Sequence, residues 1–182
     1  MTNFDFDEFE KKLKKATKEI FLSINSKNVC GFSLFSDSDA GSISASFNTI
    51  SHLENNWKEY PDEVSEYYRW YPAEWFEEGI PNDELNNLSL KLFNVEYFDD
   101  SFMKHKEKVF KTIVNILKEL KDEGLFNSTG NDFVLVFYAT DSEDIQNDLK
   151  WIKELNKEVL FKEYENGMQT WDVVCGEAAK RT

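Results

Sequence analysis

The sequence predicts an α+β domain: one antiparallel or mixed sheet with helices packed against it, formed by residues 1–182 as a single unit. Three observations carry this. Apolar residues recur every three or four positions across 9–24 and 102–123, the period of a helix with one buried stripe. They alternate across 29–49, the period of strands joined as a hairpin. Hairpins imply antiparallel pairing, and helices segregated in the middle of the chain imply α+β rather than α/β. A chain of 182 residues suffices for one core and is short for two.

The first helix places Phe9, Leu13, Ala16, Ile20 and Ile24 on one stripe, with lysines 11, 12, 14, 15 and 18 on the solvated face. Asp5, Asp7 and Glu8 at its start complement the helix dipole. Val29–Ser36 reads as a strand, Asp37–Gly41 as a turn, and Ser42–Thr49 as a second strand with Ile43, Ala45 and Phe47 on one face. Ser51 reads as the cap of a short helix carrying Leu53 and Trp57, interrupted by Pro61.

An aromatic block, Tyr67–Trp75, follows, with Tyr71 held extended by Pro72. Leu85, Leu88 and Leu92 predict a helix after Pro81. Phe102–Glu123 is the clearest helix, through Phe102, Val109, Ile113, Ile116, Leu117 and Leu120, and Gly124 stops it. The unbroken apolar run Phe133–Ala139 reads as a central strand covered on both faces. Ser142 opens a helix with Ile145, Leu149, Ile152 and Leu155 on one side. Two short strands around 159–164 and 170–175, separated by Gly167, predict a terminal hairpin. The core is expected to include Phe32, Leu34, Phe47, Val109, Ile113, Leu117, Val134, Val136 and Leu149.

Charge narrows the function. Lys+Arg number 21 and Asp+Glu 35, a net −14. A direct nucleic-acid binder needs clustered cations, so nucleic acid is not an expected partner, and an anionic membrane surface is equally disfavoured. The aromatic content of 15% is too high for a disordered chain. Met1–Glu10 lacks the basic and apolar regions of a secretory signal, and no stretch approaches the ~20 apolar residues of a membrane span, so a cytoplasmic location is expected. Cys30 and Cys175 stand alone in apolar stretches and read as buried reduced thiols.

Motifs for catalysis are sparse, and neither a cofactor nor a metal is expected. Asp37-x-Asp39-x-Gly41 departs from a calcium loop, because Ser42 stands where the loop needs Gly and Asn48 where it needs Glu. His52-x-Glu54 alone makes no metal site. His105, near the start of the long helix, reads as a boundary or surface residue. No phosphate-loop, dinucleotide or nucleophile-elbow fingerprint occurs.

The acidity is uneven. Residues 54–100 hold thirteen acidic and three basic residues, together with Trp57, Trp70, Trp75 and the tyrosines 60, 67, 68 and 71. Such rings supply stiff contact area, and the acids around them steer a basic partner. Trp57, Glu59, Tyr60, Asp62, Glu63, Arg69, Trp70, Trp75, Glu77 and Glu78 are therefore the candidate partner-binding residues. The competing reading is that the rings pack a core beneath an acidic, solubilising face. Arg69 has its own plain reading, an ion pair with Glu74, Glu77 or Glu78, or stacking on a ring.

The block Arg69-Trp-Tyr-Pro-Ala-Glu-Trp75 and the later phrase Leu120-Lys-Asp-Glu-Gly-Leu-Phe126 resemble an uncharacterised bacterial family with an Arg-Trp-x-Pro-x-x-Trp core. The similarity runs over most of the chain before Glu165. Members of that family resemble small acidic proteins found beside bacterial polymorphic toxins. The resemblance implies an immunity protein that binds a basic toxin domain, and it carries over no catalytic residue. Two alternatives stand beside it: a carboxylate-based hydrolase, and a homo-oligomeric accessory domain.

Overall fold

The computed structural model describes residues 4–60, 65–97, 101–140 and 145–178, with side chains described for all of these except 65, 145 and 169–178. Among the described residues, seven α-helices and a three-stranded sheet make the α+β domain that the periodicities predict. The helices are α1 (Phe6–Ile24), α2 (Ile50–Glu59), α3 (Ser65–Trp70), α4 (Asp83–Phe93), α5 (Ser101–Asp122), α6 (Ile145–Leu155) and α7 (Glu158–Ala178). The strands are β1 (Val29–Asp37), β2 (Ser44–Thr49) and β3 (Val134–Thr140). Among the described residues, no helix is long and apolar enough to cross a membrane.

β1 is the middle strand. It pairs antiparallel with β2, Phe32 opposite Phe47 and Leu34 opposite Ala45. It pairs parallel with β3, Phe32 opposite Leu135 and Leu34 opposite Phe137. The sheet is therefore mixed, in the order β2-β1-β3. A parallel neighbour requires a crossover, and the helices α2 to α5 lie in it. The turn between β1 and β2 is built by Asp37, whose Oδ1 accepts from the backbone N–H of Asp39 and of Gly41, both at 2.9 Å. That is a side-chain-closed turn, the use of these aspartates that the failed calcium-loop match leaves.

Two apolar cores lie on the two faces of the sheet. On one face Phe32, Leu34, Phe47, Leu135 and Phe137 meet α1, α4 and α5 through Leu13, Phe21, Leu88, Ile113 and Leu117. On the other, Val134 and Val136 meet Trp70, Trp75, Ile152, Leu160 and Phe161. Of the nine expected core residues, eight are buried, and Leu149 is partly buried against the second core.

The sequence reading needs five corrections. β3 is an edge strand. Its apolar run reflects cover on both faces, and α6 straddles the exposed edge, with Trp151 and Leu155 in the first core and Ile152 in the second. The tail is one helix, α7, so Cys175 lies in a helix rather than a strand. Leu160, Phe161, Tyr164, Gly167 and Met168 follow helical spacing, and Gly167 marks a close crossing with α3: a Cβ there would stand 2.8 Å from the Cβ of Glu66. The cap of α2 is Thr49, whose hydroxyl accepts from the His52 N–H at 3.3 Å, two residues before Ser51.

His105 is buried, with its ring among Phe4, Phe6 and Tyr97 at centroid distances of 5.1, 5.3 and 5.3 Å. Cys30 sits at the irregularity in β1 between Val29 and Gly31, a half-buried free thiol that burial pushes up to about 11. Ser142 lies outside the described residues.

Candidate functional site

α2 presents one buried residue to the protein and one stripe at i, i+4 spacing. Leu53 points to the protein and is buried. His52, Asn56 and Tyr60 fall on the stripe, which walls an open hollow of about 600 Å³. Tyr67 and Tyr68 of α3 and the turn Ala73–Trp75 complete the wall. The sequence builds the hollow in three steps. Thr49 starts α2 directly at the end of β2. Asn48 then ties β2 to α3 by donating from Nδ2 to the Tyr68 carbonyl at 3.1 Å. Pro72 opens a short 3₁₀ turn, Pro72–Glu74, immediately after extended Tyr71.

Polar contacts fix the wall. The Tyr67 hydroxyl donates to Glu74 Oε1 at 2.9 Å. His52 Nε2 lies 3.0 Å from the Glu74 carbonyl oxygen and 3.2 Å from Asn56 Nδ2. The Tyr60 and Tyr68 rings stack at 5.8 Å, and Tyr67 and Tyr71 at 5.1 Å. Chemically the arrangement is a carboxylate beside tyrosine faces, the surroundings that suit an ammonium or guanidinium group. Among the described residues, no cluster of three His, Cys, Asp or Glu stands close enough to hold a metal ion.

The predicted contact residues separate into three groups. Trp57 and Tyr60 are surface residues, 36% and 42% exposed, and Glu59 and Glu78 are exposed beside them, with Glu77 half-buried. Exposed Phe76 joins them, its ring 5.9 Å from that of His52.

Trp70 and Trp75 are 4% and 5% exposed and belong to the second core, and of the two only Trp75 also lines the hollow. Arg69 is a clamp rather than a contact. Its Nε stands 3.0 Å from Glu163 Oε1 on α7, and Nη2 donates to the Asp132 carbonyl at 2.7 Å. The pair partner is thus Glu163, not Glu74, Glu77 or Glu78, because α7 packs on α3. Asp62 and Glu63 lie outside the described residues.

Sequence reasoning missed His52 and Asn56 as wall residues, and considered Glu74 only as one of three possible partners of Arg69. The signal that finds them is the stripe at 52, 56 and 60, which is polar or aromatic throughout while Leu53 alone faces the core.

Comparison with known proteins places this architecture in a family. The family described as Domain of unknown function (DUF4303) matches residues 9–157, most of the chain. The chain belongs to the DUF4303 family. The match begins in the first turn of α1, takes in α2 through α6, the whole sheet and every wall of the hollow, and ends at Lys157, before α7. In this DUF4303 protein, the clamp from Arg69 therefore joins the family region to a helix beyond it. No curated protein and no solved structure matches the chain.

Proposed function

We propose that the protein is a non-catalytic binding module of the cytoplasm whose α2 face receives a basic protein partner. The observation that carries this reading is the hollow. Tyrosine faces and the Glu74 carboxylate line it, exposed Phe76 and Glu59 flank it through His52 and Tyr60, and Trp57 is exposed on the same helix. All of the hollow's lining residues except His52 fall in the stretch 54–100, whose balance is −10. A Lys or Arg side chain of a partner enters between the rings and meets the carboxylate, and exposed Trp57 on the same helix supplies an apolar anchor. The field of the surrounding acids raises the encounter rate.

The partner proposed is a bacterial toxin domain with a basic surface, which the module caps and neutralises. The support for this narrower step is the acidic, aromatic character of the face together with the sequence resemblance to immunity-type proteins. The test is co-expression with the protein encoded beside it. Protection of the host cell, lost on Glu59→Lys or Trp57→Ala in a variant that still folds, is the expected result. A neighbour that is harmless alone, or protection that survives both substitutions, overturns it.

A further inference from the structure

A second concavity lies away from the α2 face, where the last turn of α5, the loop before β3 and the junction of α6 with α7 converge. It encloses about 180 Å³. Its lining contains Lys121 and Lys157 and no Asp or Glu, in a chain with 35 acidic residues. Among the described residues neither lysine is in an ion pair, whereas Lys12 and Lys14 each bridge two carboxylates. Each ammonium makes one hydrogen bond: Lys121 to the Leu155 carbonyl at 2.9 Å, and Lys157 to Asn131 Oδ1 at 3.1 Å. A lysine has three N–H groups, so two on each remain to be used.

Lys121 is held below its ordinary pKa, chiefly by burial. Asp122 opposes the shift, and Lys118 and Lys157 add to it. Two like charges thus face a common space without a counter-charge on its wall. Behind them the floor is apolar, formed by Phe126, Phe133 and Leu135.

We propose that this pocket binds a small organic acid, its carboxylate or phosphate head between Lys121 and Lys157 and its apolar body on Phe126 and Phe133. An apolar cavity of about 150 Å³ accommodates a benzene ring, so the space suits one ring or a short branched chain with an anionic head. The head forms charge-assisted hydrogen bonds with both ammonium groups, stronger than those to the carbonyl and amide oxygens alone. The capping bond of Lys121 to the end of α6 is kept, so the ligand ties the α6–α7 junction to the loop before β3. This site is independent of the protein-binding reading of the α2 face.

The test is a titration of the full chain followed by amide NMR, with benzoate, phenyl phosphate, inorganic phosphate and benzyl alcohol as probes. Benzoate or phenyl phosphate is expected to shift the amides of residues 126–133 and 155–160 saturably, with Kd of ~1 mM or tighter. Benzyl alcohol, of the same size without charge, is expected to leave them in place. Inorganic phosphate is expected to bind more weakly than phenyl phosphate, and the benzoate and phenyl phosphate arms decide which head group is preferred. Exposed Lys157→Gln is expected to weaken binding by about tenfold with unchanged thermal unfolding, while Lys153→Gln outside the pocket leaves it intact. Absence of saturable shifts, equal binding of benzyl alcohol, inorganic phosphate binding as tightly as phenyl phosphate, or affinity unchanged in Lys157→Gln overturns the proposal.

Discussion

The side-chain amide of Asn156 makes with Leu135 both hydrogen bonds that a neighbouring strand would make: Oδ1 accepts the Leu135 N–H at 2.9 Å, and Nδ2 donates to the Leu135 carbonyl at 2.7 Å. Asn156 follows directly on α6, which straddles the outer edge of β3. An unpaired strand edge is a template for another chain, and here one amide occupies its first rung. The other edge of the sheet is treated differently. Glu77 exchanges both backbone hydrogen bonds with Phe47, and Ile80 donates to the Ala45 carbonyl.

Replacement of Asn156 by Ala leaves the backbone N–H and C=O of buried Leu135 without these partners. The expected cost is about 1–3 kcal/mol. Urea unfolding should show a lower midpoint with an unchanged slope. A midpoint equal to that of the parent would mean that water replaces the amide without loss.

Gly31 is required by a close approach of Trp75. A Cβ at position 31 would stand 3.1 Å from Cη2 and Cζ2 of Trp75 and from Cγ2 of Val134. Gly31→Ala should destabilise by about 1–3 kcal/mol through overpacking. The cost should shrink when Trp75 is also changed to Phe, giving a non-zero coupling in a double-mutant cycle. Strict additivity would place the strain elsewhere.

Among the described residues the buried ring of His105 has no hydrogen-bond partner on either nitrogen, and burial followed by the Lys108 charge holds its pKa below the ordinary 6.5. The folded form therefore resists protonation more than the unfolded chain does. Stability from this group is present above pH 6.5 and is lost as pH falls through the lowered folded value. His105→Phe, which suits a cage of Phe4, Phe6 and Tyr97, should be neutral or stabilising at pH 7 and should flatten the loss of stability between pH 6.5 and 5. Thermal unfolding across that range checks it. An unchanged pH slope would assign acid sensitivity to other groups.

The elements with long uninterrupted stripes were legible from sequence. α1 and α5 bury the residues that their spacing selects, because a helix that packs along its whole length repeats its buried face many times. The β1–β2 hairpin was legible because alternation and turn chemistry agree. α7 was not. Its Val159, Val173 and Val174 favour strands locally and Gly167 imitates a turn, and packing against α3 overrides both. The edge position of β3 was hidden because a single amide seals it from 21 residues away, and no periodicity encodes that. His105 was misplaced because Phe4 and Tyr97, which bury it, arrive from distant parts of the chain.

At the candidate site, composition points to a region but not to its faces. Trp57 and Trp75 carry the same side chain in the same acidic stretch. One lies on the open side of α2, and the other is wedged against Gly31 in the core. Which ring is wall and which is surface follows only from the crossing of α3 over the sheet.

The central claim is that the α2 face and its hollow receive a basic protein, and association and dissociation rates with the partner encoded beside this protein test it most directly. Trp57→Ala and Tyr60→Ala are predicted to speed dissociation, by ~2 kcal/mol or about thirtyfold for a residue that acts as an anchor, in variants that thermal unfolding shows to be folded. Glu59→Lys is predicted to slow association and to flatten its dependence on salt, because exposed charges act over about 8 Å at physiological ionic strength. Rates and salt dependence equal to the parent's in all three variants would contradict the account and leave this face as a solubilising surface.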